Sequence, residues 1–217
     1  KVGPDPFAVD WTPWLKGKLS DAVDTKVARP ALDALATTIN TLPATLSPAW
    51  SRQIAGSNKQ ARLAATPVVG GGQLFVIDID GVVHAFDAAT GTPQWTHKVS
   101  ASNDGGKSVF GGGVAVDNGR VYATNGAGDV EAISATDGSS LWKVRPAGPL
   151  RGAPTLANGN VYVMTQDNQI YALAQATGKV NWTETGSVGK ASIFGVAAPA
   201  AAQATVIAGY STGELTA

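Results

Sequence analysis

The chain has 217 residues, with 16 Lys and Arg balancing 16 Asp and Glu, so its formal net charge is zero. A neutral chain without a basic run lacks the field that draws proteins to phosphate backbones or anionic membranes, which argues against nucleic-acid binding. With no cysteine, disulfides, thiolate metal ligands and cysteine nucleophiles are excluded, and no apolar run reaches the roughly 18 residues of a membrane span.

Residues 1–48 precede any repeat and are expected to be an extension of short helices and linker. The sequence opens on Lys1 rather than Met, as expected of a processed or trimmed product. No signal-peptide pattern is present, and a targeting segment or lipid anchor is expected outside this sequence. Trp11 and Trp14 stand beside Lys16 and Lys18. Ser20, followed by Asp21 and Asp24, reads as a helix start with acids near the positive end of the dipole. Pro30 permits a fresh first turn. Leu32, Leu35, Ile39 and Leu42 then follow at spacings of 3, 4 and 3, an apolar stripe on one helix face. Trp11, Trp14, Leu32, Leu35 and Ile39 are therefore either packing residues of this arm or contacts for a protein partner near a membrane.

From residue 49 the chain repeats itself. Trp50, Trp95, Trp142 and Trp182 are separated by 45, 47 and 40 residues. Within the first period "ATPVV" (65–69), "QLFVID" (73–78), "VVHAFD" (82–87) and "PQWTHKV" (93–99) are separated by turns at Gly70–Gly72, Asp80-Gly81 and Thr90-Gly91. The second and third periods repeat the scheme, with hairpin turns at Asn118-Gly119 and Asn158-Gly159. Asn-Gly between two β-branched runs is a strong hairpin signal, because both residues accept positive φ in a type I′ turn. Each period thus predicts four antiparallel strands in a meander, the size of one β-propeller blade. A β-sandwich also uses short strands, but gives no reason for Trp and Gly to recur in register. A fourth unit starts at "FGVAAPA" (194–200) and runs to "GELTA" (213–217). The predicted fold is an all-β propeller, about three and a half blades of a seven- or eight-bladed ring, over residues 49–217. Three periods and a fragment fall short of most complete rings, so either a longer polypeptide, the preferred expectation, or a second polypeptide supplies the rest.

The stretch "AFDAATGTPQW" (85–95) resembles the tryptophan-docking motif of the pyrroloquinoline-quinone (PQQ) enzyme repeat, Ala-x-Asp-x-x-Thr-Gly-x-x-x-Trp. Ala85, Asp87, Thr90, Gly91 and Trp95 fill every slot. The second copy keeps Ala132, Gly138 and Trp142, with Ser134 and Asp137 in the polar slots. The third keeps Ala172, Thr177, Gly178 and Trp182, with Ala174 in place of Asp. The resemblance implies that Trp50, Trp95, Trp142 and Trp182 dock between blades, with Gly91, Gly138 and Gly178 permitting the turns. Such repeats occur in quinoprotein dehydrogenases and in non-enzymatic scaffolds, among them the BamB-like lipoproteins of outer-membrane β-barrel assembly. Dehydrogenases of this kind carry a pair of adjacent cysteines over the quinone and a calcium or lanthanide site with an Asp base. This chain has neither the cysteines nor a convincing carboxylate cluster. The implied function is a non-catalytic scaffold of the bacterial envelope without a cofactor or small-molecule substrate, its partners being membrane-associated proteins and its compartment the periplasm. A dehydrogenase fragment and a sensor ectodomain are the alternatives.

Other motifs carry less. "ASNDGGKS" (101–108) fits a loose phosphate-binding loop, but "VFGGGVAV" follows it, and that motif needs a helix there. "DIDG" (78–81) has Val82 where a calcium loop needs an oxygen ligand. "NWT" (181–183) meets the glycosylation pattern inside a strand. His84 and His97 fall at strand positions whose sisters are Glu131, Tyr171, Lys143 and Glu184, so both are expected to face solvent. Loops 101–113 and 145–151 are expected at the rims, where recognition usually sits.

Overall fold

The computed structural model describes residues 48–56, 65–99, 112–146, 148–150, 152–187 and 198–217. The helices expected in the extension, with Trp11, Trp14, Leu32, Leu35 and Ile39, lie outside the described residues. The strands belong to the compact unit Ala49–Ala217.

The first blade is β1 (Val68–Gly70), β2 (Gln73–Ile77), β3 (Val82–Asp87) and β4 (Pro93–Lys98). The second is β5 (Gly112–Asp117), β6 (Arg120–Asn125), β7 (Val130–Ser134) and β8 (Ser140–Val144). The third is β9 (Thr155–Ala157), β10 (Asn160–Met164), β11 (Gln169–Ala174) and β12 (Val180–Thr185). A fourth sheet holds β13 (Ala200–Ala202), β14 (Thr205–Gly209) and β15 (Leu215–Thr216). Every sheet is an antiparallel meander in sequence order, as the hairpin turns require. Asn118 and Gly119 adopt φ of 48° and 71°, and Asn158 and Gly159 φ of 51° and 71°, the left-handed pair of a type I′ turn.

The core lies between blades rather than within one. Phe75, Ile77 and Val83 of the first blade pack with Val114, Val121 and Ile133 of the second. Tyr122 and Val130 of the second pack with Val161, Val163 and Leu173 of the third, and Met164 and Ile170 of the third with Ala208 and Tyr210 of the fourth. A strand covered on both faces this way has few solvent-facing side chains, and each large apolar one stabilises by about 1.5–3 kcal/mol. Near the inner strands the spacing is tighter still. A Cβ on Gly113 would stand 2.5 Å from the Cβ of Ala153, so β5 and the approach to β9 meet at glycine. The neighbouring Thr124 hydroxyl donates to the carbonyl of Gly152 at 2.8 Å, tying the same two blades.

Candidate interaction surface

Three tryptophans make the same contact with the following blade. The indole N–H of Trp50 donates to the carbonyl of Ala88 (3.1 Å), that of Trp95 to Ala135 (2.9 Å) and that of Trp142 to Gln175 (2.9 Å). Each accepting residue lies three positions before a glycine in the left-handed region, Gly91 (φ 67°), Gly138 (φ 74°) and Gly178 (φ 72°). A Cβ on these glycines would come within 2.5, 2.8 and 2.6 Å of the indole of Trp50, Trp95 and Trp142 respectively. The glycine therefore has two tasks. It takes a φ that costs other residues energy, and it leaves the space into which the preceding tryptophan lies. The Gln175 carbonyl also accepts from Arg120 Nη1 (3.2 Å) and from the Tyr122 hydroxyl (3.3 Å). Trp182 packs against Tyr162, with ring centroids 5.8 Å apart, and is 40% exposed.

The turn under each tryptophan is held by a different polar residue. Asp87 Oδ1 accepts from the Thr90 hydroxyl and N–H (both 2.8 Å) and from the Ala89 N–H (3.1 Å). The Thr90 hydroxyl, then its N–H, hold the Asp87 carboxyl below its usual range. In the second blade Asp137 takes over, accepting from the N–H and hydroxyl of Ser139. The Ser139 N–H is the main cause of its lowered pKa. In the third the Thr177 hydroxyl accepts the N–H of Lys179. These carboxylates serve the turns.

The buried ionisable groups are likewise spent on the fold. Asp78 accepts from the N–H groups of Asp80 and Val82 and pairs with His84 Nε2 at 2.7 Å. Glu131, 3% exposed, meets His97 Nε2 across the first blade interface at 2.9 Å. Arg145 grips Asp129 with two bonds of 3.1 Å. His84 and His97 therefore do not stand free in solvent as the sequence suggested. His84 meets Asp78 at the turn of its own blade, whereas the strand of His97 is flanked by the second blade, so that side chain meets Glu131 there instead of water. At the third interface Glu214 accepts the Ser187 N–H (3.0 Å), which lowers its pKa. Asn168 there accepts from Ser211 and donates to the Ser187 carbonyl. Among the described residues no three His, Asp or Glu side chains converge to hold a metal ion. These donors do not fit a quinone-and-cation site, because each buried carboxylate already has its partners.

The most exposed residues sit instead on the outermost strands. All six residues of β12 are exposed, whereas β4 and β8 alternate exposed and half-buried residues. Of the rim segments, 100–111 lie outside the described residues. Residues 148–150 are not a free loop: the Pro149 carbonyl accepts the N–H of Gln166, and Leu150 is fully buried beside Thr165.

The family model described as "Outer membrane protein assembly factor BamB" matches residues 42–108 and 79–217. The outer membrane protein assembly factor BamB of Yersinia pestis is 27% identical over 172 residues, covering 77% of this chain and 44% of that protein. The chain thus spans less than half the length of this relative. A 1-butanol dehydrogenase (cytochrome c) of Thauera butanivorans is 31% identical over 124 residues, but these cover 52% of this chain and 18% of that enzyme. Among solved structures, BamB from Moraxella catarrhalis superposes with a TM-score of 0.60 at 21% identity, covering 70% of this chain and 44% of that one. This likeness shows the propeller fold.

Proposed function

The chain belongs to the outer membrane protein assembly factor BamB family, and from that premise we propose that it is a non-catalytic scaffold that binds proteins of the bacterial envelope during outer-membrane protein assembly. Its compartment is the periplasm, and its partners are membrane-associated proteins. One observation carries this reading: the buried carboxylates are committed to contacts within a blade or between blades, Asp78 with His84, Asp129 with Arg145 and Glu131 with His97. A rigid array of this kind presents surface without loss of conformational freedom on binding, which favours affinity. The packing residues Trp50, Trp95, Trp142 and Trp182, with Gly91, Gly138 and Gly178, are assigned to holding that array. The extension residues Trp11, Trp14, Leu32, Leu35 and Ile39 are assigned to partner contact.

The second reading, a quinoprotein oxidoreductase, is favoured by the 31% identity to the butanol dehydrogenase. Incubating the purified chain with PQQ and calcium, then with primary alcohols and a redox dye, separates the two. The scaffold reading predicts no quinone-dependent dye reduction; alcohol-dependent turnover would overturn it.

A further inference from the structure

We propose that Asn118 is a modification site, where the side chain deamidates spontaneously through attack by the Gly119 nitrogen and the product loosens the interface that Trp95 closes. The chain holds three Asn-Gly steps, at Asn118, Asn125 and Asn158. Asparagine is a thermally labile residue, and before glycine the attacking nitrogen is unhindered and its backbone free to turn. The Gly119 nitrogen bonds to Asn118 Cγ, the Cγ–Nδ2 bond breaks, and the Gly119 amide proton leaves with the amine as ammonia. Water then opens the cyclic imide. Opening at Cγ leaves an aspartate. Opening at the α-carbonyl leaves an isoaspartate, whose main chain runs through Cβ and Cγ and is one atom longer.

The three steps differ in what holds the asparagine. Asn125 is buried. Its Oδ1 accepts the N–H groups of Ala127 and Asp129, both at 3.0 Å, and its Nδ2 donates to Asp129 Oδ2 at 3.0 Å, so Cγ is fixed and shut off from water. Asn158 is exposed, but its Nδ2 donates to the Gln203 carbonyl of the fourth sheet, which ties the leaving group across a blade interface. Asn118 is exposed as well. Its one side-chain partner among the described residues is the adjoining Asp117, which accepts from Nδ2 at 3.0 Å and moves with the same turn. The second blade packs against a complete blade on each side, so this exposure belongs to the turn itself. What the turn supports makes the change matter. The Gly119 carbonyl accepts the Ala135 N–H at 3.0 Å, and the Ala135 carbonyl accepts the Trp95 indole at 2.9 Å. The same relay runs from Gly72 through Ala88 to Trp50 and from Gly159 through Gln175 to Trp142. The hairpin turn therefore orients the acceptor of each indole. A longer main chain at Asn118 displaces the Gly119 carbonyl and frees the Ala135 amide.

The 217-residue chain, folded or unfolded in urea, is aged in mildly alkaline buffer and mapped by peptide mass spectrometry, with isoaspartyl methyltransferase marking the isoaspartate. In the folded chain Asn118 should convert about tenfold faster, or more, than Asn125 and Asn158, whose side chains must first be released by local opening. In urea the three rates should converge. Hydrogen exchange of the aged, folded chain should then be faster in the peptides that hold Ala135 and β4, with the third blade unchanged. Asn118→Gly keeps the left-handed turn and has no amide to lose, so its exchange should stay the same on ageing. Equal rates at the three sites in the folded chain, conversion of Asn118 in urea alone, or exchange around Ala135 unmoved by full conversion overturns the inference.

Discussion

Gly138 and Gly119 share nearly the same backbone, with φ of 74° and 71°, yet differ in what lies above them. A Cβ on Gly138 would sit 2.8 Å from the Trp95 indole, whereas at Gly119 nothing lies within 4 Å. Gly119→Ala is therefore expected to cost only the left-handed strain, about 1 kcal/mol. Gly138→Ala should cost about 2–4 kcal/mol, since the indole must also move out of a packed interface. Urea unfolding of the two variants checks this, and equal midpoints would deny the tryptophan its socket. The acid limit is set partly by Asp87. Its carboxyl titrates below the ordinary 3.8 because Thr90 holds the ionised form. The stability it adds is complete above the unfolded value and is lost as pH falls through the lower folded one. The melting temperature of Asp87→Ala should lie below the parent's near pH 6, with the gap closing below pH 3.8; a gap unchanged in acid would contradict the assignment.

At the level of strands and their pairing, the cross-blade contact of His97 with Glu131 can be tested by a double-mutant cycle. His97→Ala and Glu131→Ala should each destabilise by about 1–3 kcal/mol, with a coupling energy of roughly 0.5–3 kcal/mol. Additive effects, read from chemical unfolding, would make the pair incidental. The strands were legible in the sequence because Asn-Gly turns and alternating β-branched runs are local signals, and the meander needs only neighbouring turns. The role of His97 was not. Alternation marks two faces but says nothing about what covers each, and in a blade both are covered. Nor could the spacing reveal that the glycine of one period receives the tryptophan of the period before it. That contact joins residues 40 or so positions apart, Trp95 with Ala135 for instance.

Over the described blades, the interfaces form a series, the first two each closed by one tryptophan, Trp95 and Trp142, and the third by polar contacts of Asn168 and Glu214. Removing one closure should loosen two blades and leave the others near native. Trp142→Ala is expected to cost about 3–5 kcal/mol, with hydrogen exchange rising in β8 and β11 and little changed in β2 and β3. A uniform rise would mean that the interfaces do not act separately. Such a series suits a protein that displays edges and rims while its own groups stay occupied. Binding of the purified, labelled chain to the detergent-solubilised outer-membrane β-barrel assembly machinery, followed by biolayer interferometry, tests the central claim most directly. The account predicts saturable binding; absence of binding by the folded chain would contradict it.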